Sequence, residues 1–348
     1  MSLQFGKFYF NGIPSDSSGL DQARGILAPY SPDPEGSYSD EDVQIICRAF
    51  YTTKDSQRDK QPYVSQSGAV VTWDGRLDNR NDLISEIGGL SNRSSDVAIV
   101  AAAYDRFSTA CFQKFVGDWA LSLWIPRART VFLATDFIGI RHLYYQRTKD
   151  QVIWSTVLDA LILDTRQGFE VEEQYIAGWL SLFPAAHLTP YHGVLNVPPC
   201  SFVRVSKHAC LTQKYWDFDP GKRIRYRTDS EYEEHFRAAF GDAVKRRLRS
   251  SAPVVAELSG GVDSSSIVCV ADDILARESG PRLDTVSYYD DSEPNWDERP
   301  FFARVEERRG RTGSHINLHD EVKQEGMLLS EYGPYAGVDL AKARISQS

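Results

Sequence analysis

Cysteine is sparse in this 348-residue chain: Cys47, Cys111, Cys200, Cys210 and Cys269 form an odd set with no C-x-x-C spacing. That excludes a disulfide framework and a cysteine zinc site, and it fits reduced thiols in a cytoplasm. Long hydrophobic runs are missing as well. No stretch approaches the roughly 18 apolar residues of a membrane span, and no charged segment followed by an apolar one opens the sequence. A soluble cytoplasmic protein is therefore expected, with no membrane partner. Positive charge is also short: 39 Lys and Arg stand against 48 Asp and Glu, a net charge of −9. A nucleic-acid partner is not suggested. The basic stretches 222–227 and 245–249 read as solvated helix or loop faces, the second also able to neutralise phosphate. His315 and His319 are four apart but lie in strand-like sequence, so they read as structural or surface residues.

What is present is one dense signal. Residues 258–266 read Leu-Ser-Gly-Gly-Val-Asp-Ser-Ser-Ser, after the apolar run 253–257 and before the apolar helix pattern of Ile267, Val268 and Val270. Strand, glycine turn and helix start follow one another. Gly260 and Gly261 let backbone N–H groups close on an anion, and the helix N-terminus adds about half a positive charge. The hydroxyls of Ser259, Ser264 and Ser265 add donors. The segment is suited to phosphate, most plausibly the pyrophosphate part of ATP. It lacks the Gly-Lys-Ser/Thr of the Walker loop and the three spaced glycines of the Rossmann turn. The bland alternative is a glycine turn with solvated serines.

The rest of the chain falls into two patterns. Residues 1–216 read as short strands with turns and a few helices. Strands are predicted at 5–10, 69–73, 119–125, 130–135, 142–146 and 151–154, and helices at 78–87 and 97–107, the latter capped by Ser95. Residues 16–42, rich in Ser, Asp, Pro and Gly, read as a loop with one short helix. Asp74-Gly75 reads as a hairpin turn. An antiparallel sheet packed with helices follows from this. Residues 217–229 form the linker candidate. From 230 onward, Ser230 and Glu233 read as a capping box, and Tyr232, Phe236, Phe240, Val244 and Leu248 as one helix stripe. Strands at 283–289 and 315–318, with a helix near 297–309, then complete a parallel α/β unit. Its ligand belongs at the carboxyl ends of the strands.

These segments together resemble the asparagine synthetase family. Ser259–Ser264 is similar to its pyrophosphate loop. Residues 74–80 (Asp-Gly-Arg-Leu-Asp-Asn-Arg), Ser95-Asp96, 116–120 (Val-Gly-Asp-Trp-Ala), 136–145, 198–200 and Tyr215-Trp216 are similar to its class II glutamine amidotransferase domain. The resemblance implies an N-terminal-nucleophile fold of two stacked antiparallel sheets with helices in residues 1–216. It implies the first part of an ATP-pyrophosphatase domain in 230–348. It further implies ATP and Mg²⁺ as cofactors. Leu258, Ser259, Gly260, Gly261, Val262, Asp263, Ser264, Ser265 and Ser287 would hold the nucleotide, with Asp263 on the metal. Asp74, Gly75 and Asp96 would form a vestigial glutamine site.

The chain departs from the family where glutamine is cleaved. Position 2 is Ser where glutamine-hydrolysing members have a nucleophilic Cys, and Asp74-Gly75-Arg76 stands in place of Asn-Gly-Glu. Members without that Cys, such as lasso-peptide macrolactam cyclases and β-lactam synthetases, adenylate a carboxylate and take the amine from elsewhere. An ATP-dependent amide ligase of that type is the first expectation. Its substrate would be a small carboxylate or a precursor peptide. Two readings stay open beside it: an asparagine synthetase using ammonia or glutamine, and a non-catalytic peptide-binding scaffold. Asp290, Asp291 and Glu293 read as loop solvation, and Asp297 and Glu298 as helix capping. Residues 321–348 match none of the family's later elements, so a separate C-terminal synthetase portion is an expected partner, and a homodimer another.

Overall fold

The computed structural model describes residues 2–12, 19–30, 33–162, 170–292 and 294–318. Glu293, His319 and the segment 321–348 lie outside the described residues. The chain divides into two compact units, one ending at Phe218 and the other beginning at Asp219.

In the first unit the strands, in chain order, are β1 (Leu3–Tyr9), β2 (Glu35–Ser39), β3 (Val43–Arg48), β4 (Tyr63–Val64), β5 (Val70–Gly75) and β6 (Trp119–Ile125). They continue as β7 (Thr130–Thr135), β8 (Tyr144–Arg147), β9 (Gln151–Ser155), β10 (Val194–Asn196), β11 (Ser201–Val205) and β12 (Cys210–Lys214). The helices are α1 (Gly19–Leu27), α2 (Arg80–Ile87), α3 (Asp96–Phe107), α4 (Leu158–Ile162) and α5 (Glu173–Leu180). The strands form two six-stranded sheets, β10-β8-β9-β1-β3-β2 and β12-β11-β7-β6-β5-β4. Both sheets are antiparallel.

Strand alternation explains the layers. On β6, Trp119, Leu121 and Leu123 join the core beneath α2 and α3. Ala120 and Trp124 point the other way, into a core shared with Phe8, Val43 and Val152 of the opposite sheet. Period-two burial on both faces therefore stacks the sheets and covers each with helices. A third core under α1 and α4 contains Leu3, Phe5, Leu27 and Leu161.

Two sequence expectations are corrected here. Asp74-Gly75 is not a hairpin turn. It ends β5 against β6, with Asp74 opposite Ala120 and Gly75 opposite Trp119. The real turn precedes β5, where Ser65 receives Gly68 N–H at 3.1 Å. The reason is room: a Cβ on Gly75 would lie 2.4 Å from the Asp118 carbonyl oxygen, so glycine serves close packing there. Within the stretch 16–42, read as a loop, 35–39 is an edge strand paired to β3.

The second unit holds α6 (Asp229–Arg247), β13 (Val255–Glu257), α7 (Val262–Arg277), β14 (Asp284–Tyr289), α8 (Arg299–Arg309) and β15 (Ser314–Asn317). The strands form a parallel sheet in the order β13-β14-β15. Its core is Val244, Leu258, Val268, Ala271, Leu283 and Phe302. The capping box is Thr228 with Glu231, two residues earlier than the expected Ser230 and Glu233. The expected stripe on α6 is also only half used. Phe240, Val244 and Leu248 pack on the core, while Tyr232 and Phe236 stay exposed. Their rings pair locally instead, Tyr232 with Tyr226 at 5.0 Å and Phe236 with Phe240 at 5.8 Å.

Candidate functional site

In the second unit the Ser-Gly-Gly segment sits where a parallel sheet presents its ligand edge. Leu258 N–H donates to the Val286 carbonyl at 2.8 Å, which extends the β13–β14 pairing by one residue. The chain then turns at Gly260, whose φ is +84°, and enters α7 with Gly261 as N-cap. No side chain caps that helix. Its first N–H groups are thus left to solvent or a ligand, the arrangement that favours an anion.

The serines tie the turn together. Ser259 and Ser264 hydroxyls lie 3.0 Å apart, and Gly261 N–H donates to Ser259 Oγ at 3.3 Å. Ser265 N–H donates to the Gly261 carbonyl at 3.0 Å. The Ser265 hydroxyl is buried without a hydrogen-bond partner, an unusual cost unless a ligand satisfies it. Gly260 is fixed by its neighbour as well as by its φ. A Cβ there would lie 2.4 Å from the Phe301 carbonyl carbon and 2.4 Å from the Phe302 nitrogen. The loop backbone therefore rests directly on the start of α8.

A cavity of about 620 Å³ opens at this edge. Ser259, Gly260 and Gly261 line one side, and Tyr289, Asp290 and Phe301 another. The other predicted residues are placed differently. Leu258 and Ser287 are both 1% exposed. They are joined beneath the loop by a 2.7 Å bond from Ser287 Oγ to the Leu258 carbonyl. Val262 and Asp263 are exposed on the first turn of α7.

Sequence reasoning missed Tyr288, Tyr289, Asn295 and Phe301 as cavity residues, and it read Asp290, Asp297 and Glu298 as solvation or capping. The Asp297 carboxylate accepts Arg299 N–H at 3.1 Å and Arg299 Nε at 2.7 Å just before α8, whose N-cap residue, Glu298, makes no side-chain capping bond. Yet Asp290, Asp297 and Glu298 all line the cavity too. The usable signal was positional: each follows a parallel strand or precedes the next helix, at the carboxyl edge.

In the first unit the structure separates the expected glutamine-site residues into two groups. Ser2 Oγ accepts Phe50 N–H at 3.2 Å. Asp74 is buried, which pushes its carboxyl up; Arg141 and a hydrogen bond from Ser2 N–H work against that shift. Arg141 is brought there by Asp136, whose carboxylate accepts the Trp119, Ile138, Ile140 and Arg141 N–H groups at 3.0 to 3.1 Å. Asp96 instead pairs with Arg80 and accepts Leu77 N–H at 2.9 Å. Its charge is already balanced by a guanidinium.

Asp59 belongs to the Asp96 group. Burial pushes its carboxyl up to about 7; a hydrogen bond from Ser95 opposes this, Asp96 adds to it and Arg80 opposes it. A folded-state value above the ordinary one means the native state binds the proton more tightly. This contribution is full below about pH 4 and is lost as pH rises through about 7. Asp59→Asn is expected to flatten that loss in melting scans of the chain between pH 4 and 8.

Comparison with known proteins bears on both units. Residues 9–216 match the family pattern described as glutamine amidotransferase domain, more than half of the chain, and residues 235–324 match that of asparagine synthase. The chain belongs to the asparagine synthetase family. Asparagine synthetase [glutamine-hydrolyzing] 3 of Bacillus subtilis strain 168 is 24% identical, across 92% of this chain and 55% of that protein. Asparagine synthetase [glutamine-hydrolyzing] 1 of the same strain is 27% identical, across 77% and 42%. Amidase chyE of Penicillium rubens is 26% identical, across 62% and 33%. The chain thus spans about half the length of the first of these curated relatives, and less of the others. Among solved structures, a glutamine phosphoribosylpyrophosphate amidotransferase from B. subtilis complexed with ADP and GMP aligns with a TM-score of 0.44. It is 13% identical, covering 82% of this chain and 74% of that one. Among the described residues, no helix is long and apolar enough to cross a membrane.

The amidotransferase unit of this family member presents a serine hydroxyl and a buried carboxylate at the positions compared with the glutaminase site. A serine hydroxyl is far less ionised than a thiol, and at position 74 a carboxyl stands where the family pattern has an amide. Glutamate release from glutamine is expected to stay at the buffer level, and Ser2→Cys alone is expected not to raise it. A glutamate assay on both chains checks this.

Proposed function

We propose that the second unit is the nucleotide-binding part of an ATP-dependent amide ligase that activates a carboxylate with release of pyrophosphate. The observation that carries this reading is the uncapped start of α7 at Gly261, which with Ser259 and Gly260 lines a cavity of about 620 Å³. The donors present fit a pyrophosphate group: backbone N–H at Gly261 and the first turn of α7, and hydroxyls at Ser259, Ser264 and Ser265. Asp263 on the first turn, with Asp290 on the cavity wall, would supply carboxylate to Mg²⁺, which takes oxygen ligands and phosphate together.

In the reaction, a carboxylate oxygen attacks the α-phosphorus of ATP and the bond to pyrophosphate breaks. An amine then attacks the acyl carbon, and AMP departs with the electron pair of the C–O bond while the amine loses a proton. These residues would stabilise negative charge on the leaving pyrophosphate; charge-directed donors of this kind contribute about 3–4 kcal/mol each where removed from other sites.

The amine is proposed to come from a source other than glutamine. The features that support this are Ser2 and the buried Asp74. An acceptor of the kind used by lasso-peptide cyclases or β-lactam synthetases, a peptide or small-molecule carboxylate, is the finer proposal; free aspartate with ammonia is the alternative. The test is ATP–pyrophosphate exchange with Mg²⁺ and each acceptor in turn. Exchange with any acceptor supports activation by this chain. No exchange with any of them, in a preparation that still binds ATP, removes the ligase reading for the chain as it stands.

A further inference from the structure

We propose that two copies of this chain pair edge to edge through β12, antiparallel about a two-fold axis at Thr212, and so join their sheets into one. β12 is the outer strand of its six-stranded sheet, and all 5 of its residues are exposed, Leu211 at 58%. The proposal concerns assembly through the first unit and holds or fails apart from the ligase reading.

The ladder with β11 fixes which backbone groups face outward. Ser206 N–H donates to the Ala209 carbonyl and Tyr215 N–H to the Cys200 carbonyl, each at 2.8 Å. Bonded and unbonded pairs alternate along an antiparallel ladder, and Val203 stands opposite Thr212. Leu211 and Gln213 therefore bond to β11, while the N–H and C=O of Cys210, Thr212 and Lys214 point away from it. Such an edge is a template for another strand, and proteins blunt it with proline, bulges, charges or a covering element. β12 has no proline or bulge, and its one charge, Lys214, stands at the end. The other edges of the unit are less open. β4 and β10 have 2 and 3 residues, and the Gln61 backbone lies against Gly36 of β2.

A second copy fits because this strand can serve as its own partner. Outward-facing residues must meet outward-facing residues, and an axis at Thr212 is the one that uses the whole strand. Thr212 then lies opposite the partner's Thr212, and Cys210 opposite the partner's Lys214, giving about six backbone hydrogen bonds. No two like charges meet. The same register brings Lys207 level with the partner's Asp217. Lys207 now bonds the neutral Asn11 at 2.8 Å, and Asp217 pairs with Lys214 at 2.7 Å. In the pair, each Asp217 carboxylate stands between two lysines. The ladder is small beside the roughly 800 Å² per partner of a stable interface. The dimer is therefore expected to form and dissociate with concentration.

Cross-linking of the full chain in oxidising glutathione, with Cys210→Ser as background, tests the register. Thr212→Cys places two thiols on an opposed pair whose Cα atoms lie about 5.5 Å apart, within disulfide reach. Gln213→Cys is exposed too, but its two thiols are offset by two residues, roughly 7 Å along the strands, and out of reach. Thr212→Cys is expected to form a disulfide dimer at least ~10-fold faster than Gln213→Cys. Sedimentation of the unsubstituted chain is expected to show monomer giving way to dimer as concentration rises. Thr212→Pro, which removes an outward N–H, is expected to stay monomeric. Should Thr212→Pro fail to fold, the cross-linking contrast still decides. Equal cross-linking of the two cysteine variants, a chain monomeric at every concentration, or a dimer that Thr212→Pro leaves intact would each overturn the proposal.

Discussion

Gly260→Ala is expected to destabilise the second unit by about 2–5 kcal/mol and to lower ATP affinity about a hundredfold. Two independent costs meet at that position. The backbone φ of +84° is a glycine conformation, worth roughly 1–2 kcal/mol when a Cβ is forced into it. The added carbon would also sit 2.4 Å from the backbone of Phe301 and Phe302, and overpacking of that kind costs about 1–3 kcal/mol. The backbone cannot swing aside as a long side chain would. Either the loop lifts from α8 or α8 moves, and both deform the phosphate-facing turn. Gly261→Ala is the control. Its Cβ would meet only Ser259 Oγ, at 3.4 Å, so a change under about 1 kcal/mol is expected. Urea unfolding and ATP titration of the two variants check the contrast, and equal effects would show that the loop does not rest on α8 as described.

The second large effect is expected at Arg309. Its guanidinium is 5% exposed at residue level and donates to Asp272 at 2.7 and 3.1 Å and to the Leu283 carbonyl at 2.6 Å. Asp272 also accepts Leu283 N–H at 2.9 Å. The pair ties α7 and α8 to the start of β14, at the opposite end of the sheet from the cavity. Arg309→Met strands a buried carboxylate, and losing one partner of such a pair costs about 3–5 kcal/mol. The double variant with Asp272→Leu is expected to recover most of the loss, because no charge then remains buried. Burial works against ionisation of Asp272, but Arg309 and the Leu283 N–H outweigh it and hold the carboxyl below its ordinary range. Stability from this pair is therefore present above the unfolded-state value and is lost as pH falls toward the folded one.

Much of this arrangement was legible in the residues, and the exceptions have physical causes. Strands such as Trp119–Ile125 and Thr130–Thr135 stood out because both faces are apolar and the ends are marked. The Ser-Gly-Gly turn was legible because its chemistry is local: six neighbouring residues make the turn, the cap and the donors. Asp74-Gly75 was misread as a hairpin because the reason for its glycine is long-range, the approach of Asp118 and Trp119. Tyr232 and Phe236 match the helix period as well as Val244 does, yet period alone does not say how far the partner surface extends. The same holds for the cavity wall. Asp290, Asp297 and Glu298 become neighbours of Ser259 only through sheet order, which no local pattern carries. Asp96, read as part of a vestigial glutamine site, opens α3 one residue before the predicted helix start, and its pairing with Arg80 depends on two helices meeting.

The central claim is that the loop from Ser259 to Ser265 and the first turn of α7 hold the phosphates of ATP. Amide hydrogen exchange with and without Mg-ATP tests it most directly. The expected result is slowed exchange confined to residues 259–266 and the cavity edge near Tyr289 and Phe301, reproduced by pyrophosphate over the loop and not by adenosine. Unchanged exchange in the loop with ATP bound elsewhere, or equal protection by adenosine alone, would contradict the account.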